Sequence, residues 1–543
     1  MRAVGRPIPD AVPHAWATSP CDLRSRRQPI ILGARRSSCE RPGRIPCPIE
    51  RGDGRRRSHR RCPMTWNRTS HSGWSRWWAL VLATAVAATA AAASPTLQWS
   101  DPALVGSARA VPIGSDLRID GAILEKNGPP EALELERFRV FAPEARIVVH
   151  GDKETRTLPP PAHLYFRGTV AGRVGSRVLL TVLEDGGLRG LIADGGRYWL
   201  ATQGVDEPRP ALQEVTNHPA LAAGARRFEC DADRLPRQAP DSLPGPLSGE
   251  KLPAGSKRAP SASATARVGV ETDYEYYQLF GSVSGAVSYA GDLFAYASTY
   301  YTSEVSTDFW LAHVSVWTTA ADPWTQTSGG CLLAEFGRYW NANMGNVTRT
   351  IAHFLSGKAV GGGVAWVGVL CSSAFSVDIS SWGCTLTPPI DMYGGGYGFS
   401  GDLSGSFNIS SPSVVWDIYV VSHEVGHNFN TGHTHCYVPP VDQCWGNDGP
   451  PCYNGPPSLP CPTPGAGCGT IMSYCHTIAP GMSNISLTLG LTDPWGYQPW
   501  RVPNLMSSYV VATAASYPSC LAPILFADNF ESGDTSAWSS TVP

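Results

Sequence analysis

The eleven residues HEVGHNFNTGH, His423 to His433, hold three of the chain's 13 histidines and a glutamate. No other stretch constrains the 543-residue chain as tightly. His423 and His427 are four apart, so on a helix both imidazoles project from one side, about one turn apart. That spacing suits two ligands on one metal ion. Glu424, next to the first histidine, can reach a water on that metal without binding the ion itself. Zinc fits best, because it favours imidazole nitrogen and tetrahedral sites, and a catalytic zinc keeps one position open for water. A metal held this way lowers the pKa of its water towards about 7, and a neighbouring glutamate can take the proton.

A third ligand is needed. Between Glu424 and Glu531 the chain has no glutamate, which leaves His433 as the candidate. For His433 to come round to the same ion, the helix must stop abruptly after Phe429. Gly is the usual stopping residue; Asn430 is the next best, since its short amide side chain tolerates positive φ. The preceding SSPSVVWDIYVVSHEVGHNF reads as the helix, with Ser411 as cap and Pro412 in its first position. Ile418, Val421, Val425 and Phe429 then share one face; Trp416, Val420, His423 and His427 share the adjacent one.

These residues resemble the metzincin zinc metalloproteases, whose pattern HExxHxxGxxH precedes a Met-turn; the chain has GTIMSY at 469–474. Asn430 departs from the family's glycine. The resemblance implies that His423, His427 and His433 are zinc ligands, that Glu424 is the general base and that Met472 floors the metal pocket. It also implies that Tyr474, two after the methionine, is a switchable ligand or oxyanion stabiliser, as in astacins and serralysins. FRGTVAGRVGSRVLLTV and LRGLIADGGRYWL look like a reprolysin (adamalysin-like) propeptide, and GGGVAWVGVLCSSAFSVDI like the strand region before that group's active helix. Thr434 and Tyr474 depart from adamalysins proper, so the match is to a bacterial, reprolysin-like type over roughly residues 100–520. His435 and His476 read as second-sphere or surface histidines rather than ligands.

Residues 1–63 hold fifteen Arg, no Lys and no helix or strand period; they read as a mis-assigned N-terminal extension. Residues 64–93 have the build of a secretory signal peptide: Arg68 and Arg76, an apolar stretch from Trp77 to about Ala91, then small residues. That apolar stretch is short for a bilayer, so no stable membrane anchor is expected. Beyond it 26 basic residues face 40 acidic ones, and no basic patch suggests nucleic acid. Residues 94–234 read as β-rich, their short apolar runs split by AGRVGS, EDGG and ADGG, which are hairpin signals. Residues 235–265 are rich in Pro, Ser, Gly and Ala and read as a protease-accessible linker.

From 266 to 522 strand-like VGVETD, STDFWLAHVSVWTT, TIAHFLSG and VAWVGVLC alternate with helix-like segments at 274–302, 331–344 and 502–516. This predicts an α/β (α+β) domain with a mixed, mostly parallel sheet. Eleven cysteines follow the leader. Ten lie beyond residue 300 and can pair as up to five disulfides, five of the ten lying in the Pro/Gly-rich stretch after His433, a loop long enough to need staples. Cys230 is left over, just before the linker. As a thiolate it could fill the zinc position the water needs, and metzincins are held latent by such a propeptide cysteine; the resemblance here is positional. The tail 523–543 reads as disordered or a sorting signal. The sequons at Asn346, Asn408 and Asn484 matter only in a glycosylating host. Calcium sites are not readable. The reading is a secreted zinc endopeptidase made as a zymogen and acting on polypeptides; the competing one is an inactive, zinc-stabilised extracellular binding or adhesion protein.

Overall fold

A computed structural model describes residues 95–523 apart from 205, 206, 208, 226, 227, 229, 231, 233, 234 and 236–263. The extension at 1–63, the signal peptide at 64–93, nearly all of the linker and the tail beyond 523 lie outside the described residues.

Ten strands lie before the linker: β1 (Thr96–Gln98), β2 (Asp116–Ala122), β3 (Glu131–Phe138), β4 (Phe141–His150), β5 (Thr155–Leu158), β6 (Leu164–Val170), β7 (Arg177–Val182), β8 (Leu188–Asp194), β9 (Arg197–Gln203) and β10 (Ala211–Glu214). Eight of them form one sheet in the order β1-β2-β3-β6-β7-β8-β9-β10, in which β6 to β10 make the expected meander. The β8–β9 turn needs Gly195 and Gly196, which both have positive φ (53° and 83°), as a two-residue hairpin turn of matching twist requires. The central strands are buried on both faces because alternate residues serve two cores. Val178, Leu180 and Val182 of β7 pack with Leu117, Leu133 and the short helix α1 (Leu104–Ala108). Leu179 points the other way, into the main core.

After the linker come β11 (Ala264–Thr272), α2 (Tyr274–Gln278), α3 (Val283–Val305), β12 (Thr307–Trp317), α4 (Gly329–Asn343), β13 (Ile351–Leu355), β14 (Gly363–Ala365), β15 (Phe375–Asp378), β16 (Ile390–Gly394), β17 (Tyr397–Ser400), α5 (Val414–Asn428), α6 (Arg501–Ser516) and β18 (Leu521–Pro523). The second large sheet has the order β14-β17-β13-β11-β12-β4-β5, with β18 pairing β11. Its inner pairs are parallel, while β14, β5 and β18 pair antiparallel. Ile351 and Leu355 face the core shared with α3, α5 and α6; Ala352 and Phe354 face α4. Helices therefore cover both sides of a mixed α/β sheet, as parallel strands require. Ala88–Pro543 form one compact unit.

Four local expectations are corrected. The expected long helix at 274–302 is two helices, because Gly281 adopts φ 62° and Ser282 caps a new start by accepting from Gly285 N at 3.1 Å. VAWVGVLC contributes only Val364 and Ala365 to the short β14; the rest, from Trp366 on, bends away. Ser411 and Pro412 precede the helix rather than start it, since α5 begins at Val414 with Ser413 at its N-cap. Finally β4, within the β-rich region, leaves its neighbours and joins the second sheet beside β12.

α5 stops where the sequence requires. Asn430 has φ 70°, its N–H reaches His427 O at 2.9 Å, and Thr431 N reaches Gly426 O at 3.4 Å. This pair of bonds is the Schellman arrangement with Asn in the glycine position. Asn430→Ala should lower unfolding free energy by about 1–2 kcal/mol, the cost of a left-handed alanine, whereas Asn430→Gly should change it by less than about 0.5 kcal/mol. Denaturant titration of both variants checks this; equal midpoints for Ala and Gly would show that the turn does not depend on φ.

Candidate metal centre

All fifteen residues of α5 are buried, so the helix lies inside the molecule rather than on it. Its first turn is tied down by Asp417, whose Oδ2 accepts from Tyr289 Oη at 2.8 Å and from the N–H groups of Ser404 and Gly405 at 2.9 and 2.8 Å. Below its last turn lies Met472. Gly426 leaves room for it; a Cβ there would collide with the Met472 sulfur.

Three imidazoles converge at the end of this helix. His427 Nε2 and His433 Nε2 lie 3.2 and 3.1 Å from His423 Nε2. On the far sides, His423 Nδ1 is 2.7 Å from Ile471 O and His427 Nδ1 is 2.8 Å from Thr431 O. A carbonyl only accepts, so both Nδ1 atoms carry the hydrogen and both Nε2 atoms present bare lone pairs to each other. Burial, followed by the neighbouring imidazoles, drives the His423 pKa well below its usual value, so this ring resists protonation. A bound cation would relieve the repulsion. The edges of a tetrahedron with zinc–nitrogen bonds of about 2.0–2.1 Å are about 3.3–3.4 Å, close to the observed separations. The donor set therefore fits zinc, and the carbonyl partners are those that orient ligating histidines.

Cys230 completes the group. Its buried Sγ lies 3.4 Å from His427 Nε2 and 3.4 Å from Glu424 Oε2, and with the three histidines it forms one set of four potential ligands. Tyr474 clamps its backbone: the hydroxyl accepts from Cys230 N at 3.0 Å and donates to Cys230 O at 3.1 Å. Burial pushes the Glu424 carboxyl well above the usual carboxylate range. Its Oε1 has no hydrogen-bond partner among the described residues. That oxygen faces β14, where a Cβ on Gly363 would lie 2.7 Å from it.

Sequence reasoning missed Phe228. Its ring sits among five others, with centroids 4.9 Å from His423, 5.2 Å from His476, 5.4 Å from Tyr474 and 5.7 Å from Trp416 and Tyr419. Phe228, two residues before Cys230, thus fills an aromatic box beside the histidines. Only the density of aromatic residues near the motif hinted at the box, and nothing in the sequence marked its occupant. The two remaining histidines are buried. His435 Nε2 bonds Asp448 Oδ2 at 2.7 Å, and His476 Nδ1 bonds Tyr419 Oη at 3.0 Å. All ten later cysteines pair: Cys331–Cys384, Cys371–Cys520, Cys436–Cys452, Cys444–Cys475 and Cys461–Cys468. Cys444–Cys475 ties the loop after His433 to the residue following Tyr474.

Residues 262–486 match the Reprolysin_5 family, metallo-peptidase family M12. This stretch is a reprolysin-like metallopeptidase. Its limits enclose the three histidines, Glu424, Met472 and Tyr474. No curated protein matches the chain. Among solved structures the chain is similar to metalloproteinase-II from Bacteroides fragilis, at 10% identity and a TM-score of 0.32, over 63% of this chain and 89% of that one. It is also similar to a chaperone–substrate complex at 13% identity and a TM-score of 0.25, covering 46% of this chain and 35% of that chain. Members of M12 use zinc in general, and the reprolysin-like stretch carries a donor set suited to it.

Elemental analysis of the purified protein should find one zinc per chain, and in a Cys230→Ala background His433→Ala should abolish it, since only two imidazoles then remain. Unchanged zinc content in that variant would place the third ligand elsewhere.

Proposed function

We propose that the chain is a secreted zinc-dependent endopeptidase made as a zymogen, with His423, His427 and His433 as ligands and Glu424 as general base. The observation that carries this is the convergence of two bare imidazole lone pairs and a third ring nitrogen beside a buried carboxyl. Bound there, zinc would supply Lewis acidity and a water acidic enough to ionise near neutral pH. The chain's own residues do the rest. Glu424 accepts the proton of the attacking water and passes it to the departing amine. Its position beside β14 puts it next to a sheet edge along which an extended peptide can lie. Tyr474 Oη, which bonds the Cys230 carbonyl in this structure, would donate to a peptide oxygen as charge develops on it. Met472, packed under Gly426, floors the pocket.

Latency follows from the same geometry. Cys230 Sγ stands beside His427 and Glu424, where the attacking water has to be, and a thiolate is itself a good zinc ligand. Phe228 blocks the adjoining aromatic box. A cut in the linker, read at 235–265, frees this segment to leave. Secretion is supported by the leader-like composition of 64–93 and by five disulfides, which persist in oxidising compartments. No helix among the described residues is long and apolar enough to cross a membrane.

Glu424→Gln should retain zinc and fold and lose most peptidase activity, because only proton transfer is removed; near-normal casein hydrolysis by that variant would sink the mechanism. A Cys230→Ala precursor should hydrolyse peptide before any cut, whereas the wild-type precursor should need cleavage or a thiol-reactive mercurial. If the variant stays as latent as wild type, steric cover by the surrounding segment is sufficient. Tyr474→Phe should lower kcat with little change in KM; an unchanged kcat would reduce the residue to packing.

A further inference from the structure

The β-rich region before the linker is built into the peptidase. β4 pairs in parallel with β12 from Leu311↔Phe141 to Trp317↔His150, and the ladder extends through Leu311 N to Val140 O and Thr318 N to His150 O. Phe138, Val140, Phe141, Ile147 and Val149 lie in the same core as α3, α5 and Met472. Three arginines cross the boundary. Arg167 of β6 pairs with Asp308, Arg177 of β7 with Glu304 at 3.0 Å, and Arg189 of β8 with Asp292. The side chains of Glu304 and Asp292 are fully buried. Thr181 of β7 also donates to Asp292, at 2.8 Å. Backbones touch as well: a Cβ on Gly467 would strike the main chain of Gly195 and Gly196 in the β8–β9 turn. Tyr198 of β9 donates to Met482 O and Ile485 O, in the stretch that follows Tyr474.

We infer that residues 95–215 are a permanent structural partner of the reprolysin-like domain, and that what leaves on activation is only the segment around Phe228 and Cys230. Removing residues 95–215 would strip β12 of its outer neighbour and leave an unpaired parallel strand edge. It would also uncover two carboxylates that are fully buried in the intact chain and take away their guanidinium partners. By contrast, the contacts described for Phe228 and Cys230 at the histidines are a thiol, two backbone bonds to Tyr474 and one ring, with no charged pair among them. Of the disulfides formed among the described residues, none joins 95–230 to the remainder, so after a cut these contacts alone hold the halves together. The inference rests on the zymogen reading only for the occurrence of the cut.

The test uses the full chain with a site-specific protease sequence placed within 241–260, cut to completion and run at micromolar concentration on size exclusion with light scattering. Both fragments should elute as one particle of the uncut mass, in high salt as well as low, because the ion pairs are buried. Separate peaks for the two fragments overturn the inference, whatever the state of the C-terminal one. In the cut chain Arg189→Ala should weaken the association about a hundredfold or more by taking from Asp292 its guanidinium partner, and adding Asp292→Asn should restore part of it. Loss without any restoration would count against the buried pair as the source. The readout does not depend on activity: a cut complex that co-elutes and hydrolyses nothing supports retention and counts only against the peptidase reading.

Discussion

The structure depends on keeping a very polar motif dry. Three histidines and a glutamate sit at the end of a helix that has no exposed side. Buried imidazole and carboxyl groups are costly unless each polar atom has a partner. Much of the surrounding architecture supplies those partners. Ile471 and Thr431 offer carbonyls to two imidazoles, and Gly426 and Gly363 let Met472 and β14 approach. The Schellman turn at Asn430 returns the chain so that His433 reaches the same point. The converging lone pairs are a demand these protein groups leave unmet, and a cation would meet it.

A second polar system lies deep in the molecule. Glu304 accepts from Arg177, from Thr488 and from the N–H groups of Leu489 and Leu491. It thereby joins the N-terminal sheet, α3 and the loop after the 474–486 stretch in one buried network. Because such networks are costly when half satisfied, they behave as a unit. Through Tyr198 and the Gly196–Gly467 contact the region before the linker also touches the stretches before and after Tyr474, beside the candidate metal centre.

The site was largely legible because its information is local. The four-residue spacing of His423 and His427, the absence of any glutamate before Glu531 and the tolerance of Asn for positive φ all follow from neighbours in the chain. Parallel strands separated by helices were legible for the same reason, since period and length distinguish them. Local reasoning failed where packing overrides propensity. The apolar run 364–371 looks like a strand and mostly is not, because Gly368 N and Val369 N bond the carbonyls of His427 and Asn428 rather than a strand partner. The break at Gly281 and the late start of α5 are errors of boundary, where propensity is weakest.

By itself, then, the sequence determined the chemistry on offer: which residues can bind a metal, which can carry a proton, which ten cysteines can pair and where the chain must turn. Tertiary structure alone decided what meets what. It brought Cys230 to within 3.4 Å of His427 across 197 residues, seated Phe228 in an aromatic box, and drew β4 out of its own sheet to lie beside β12. No local period encodes these contacts, because they form between segments far apart in the chain. They are selected by the burial of apolar surface and the pairing of buried charge in the assembled core.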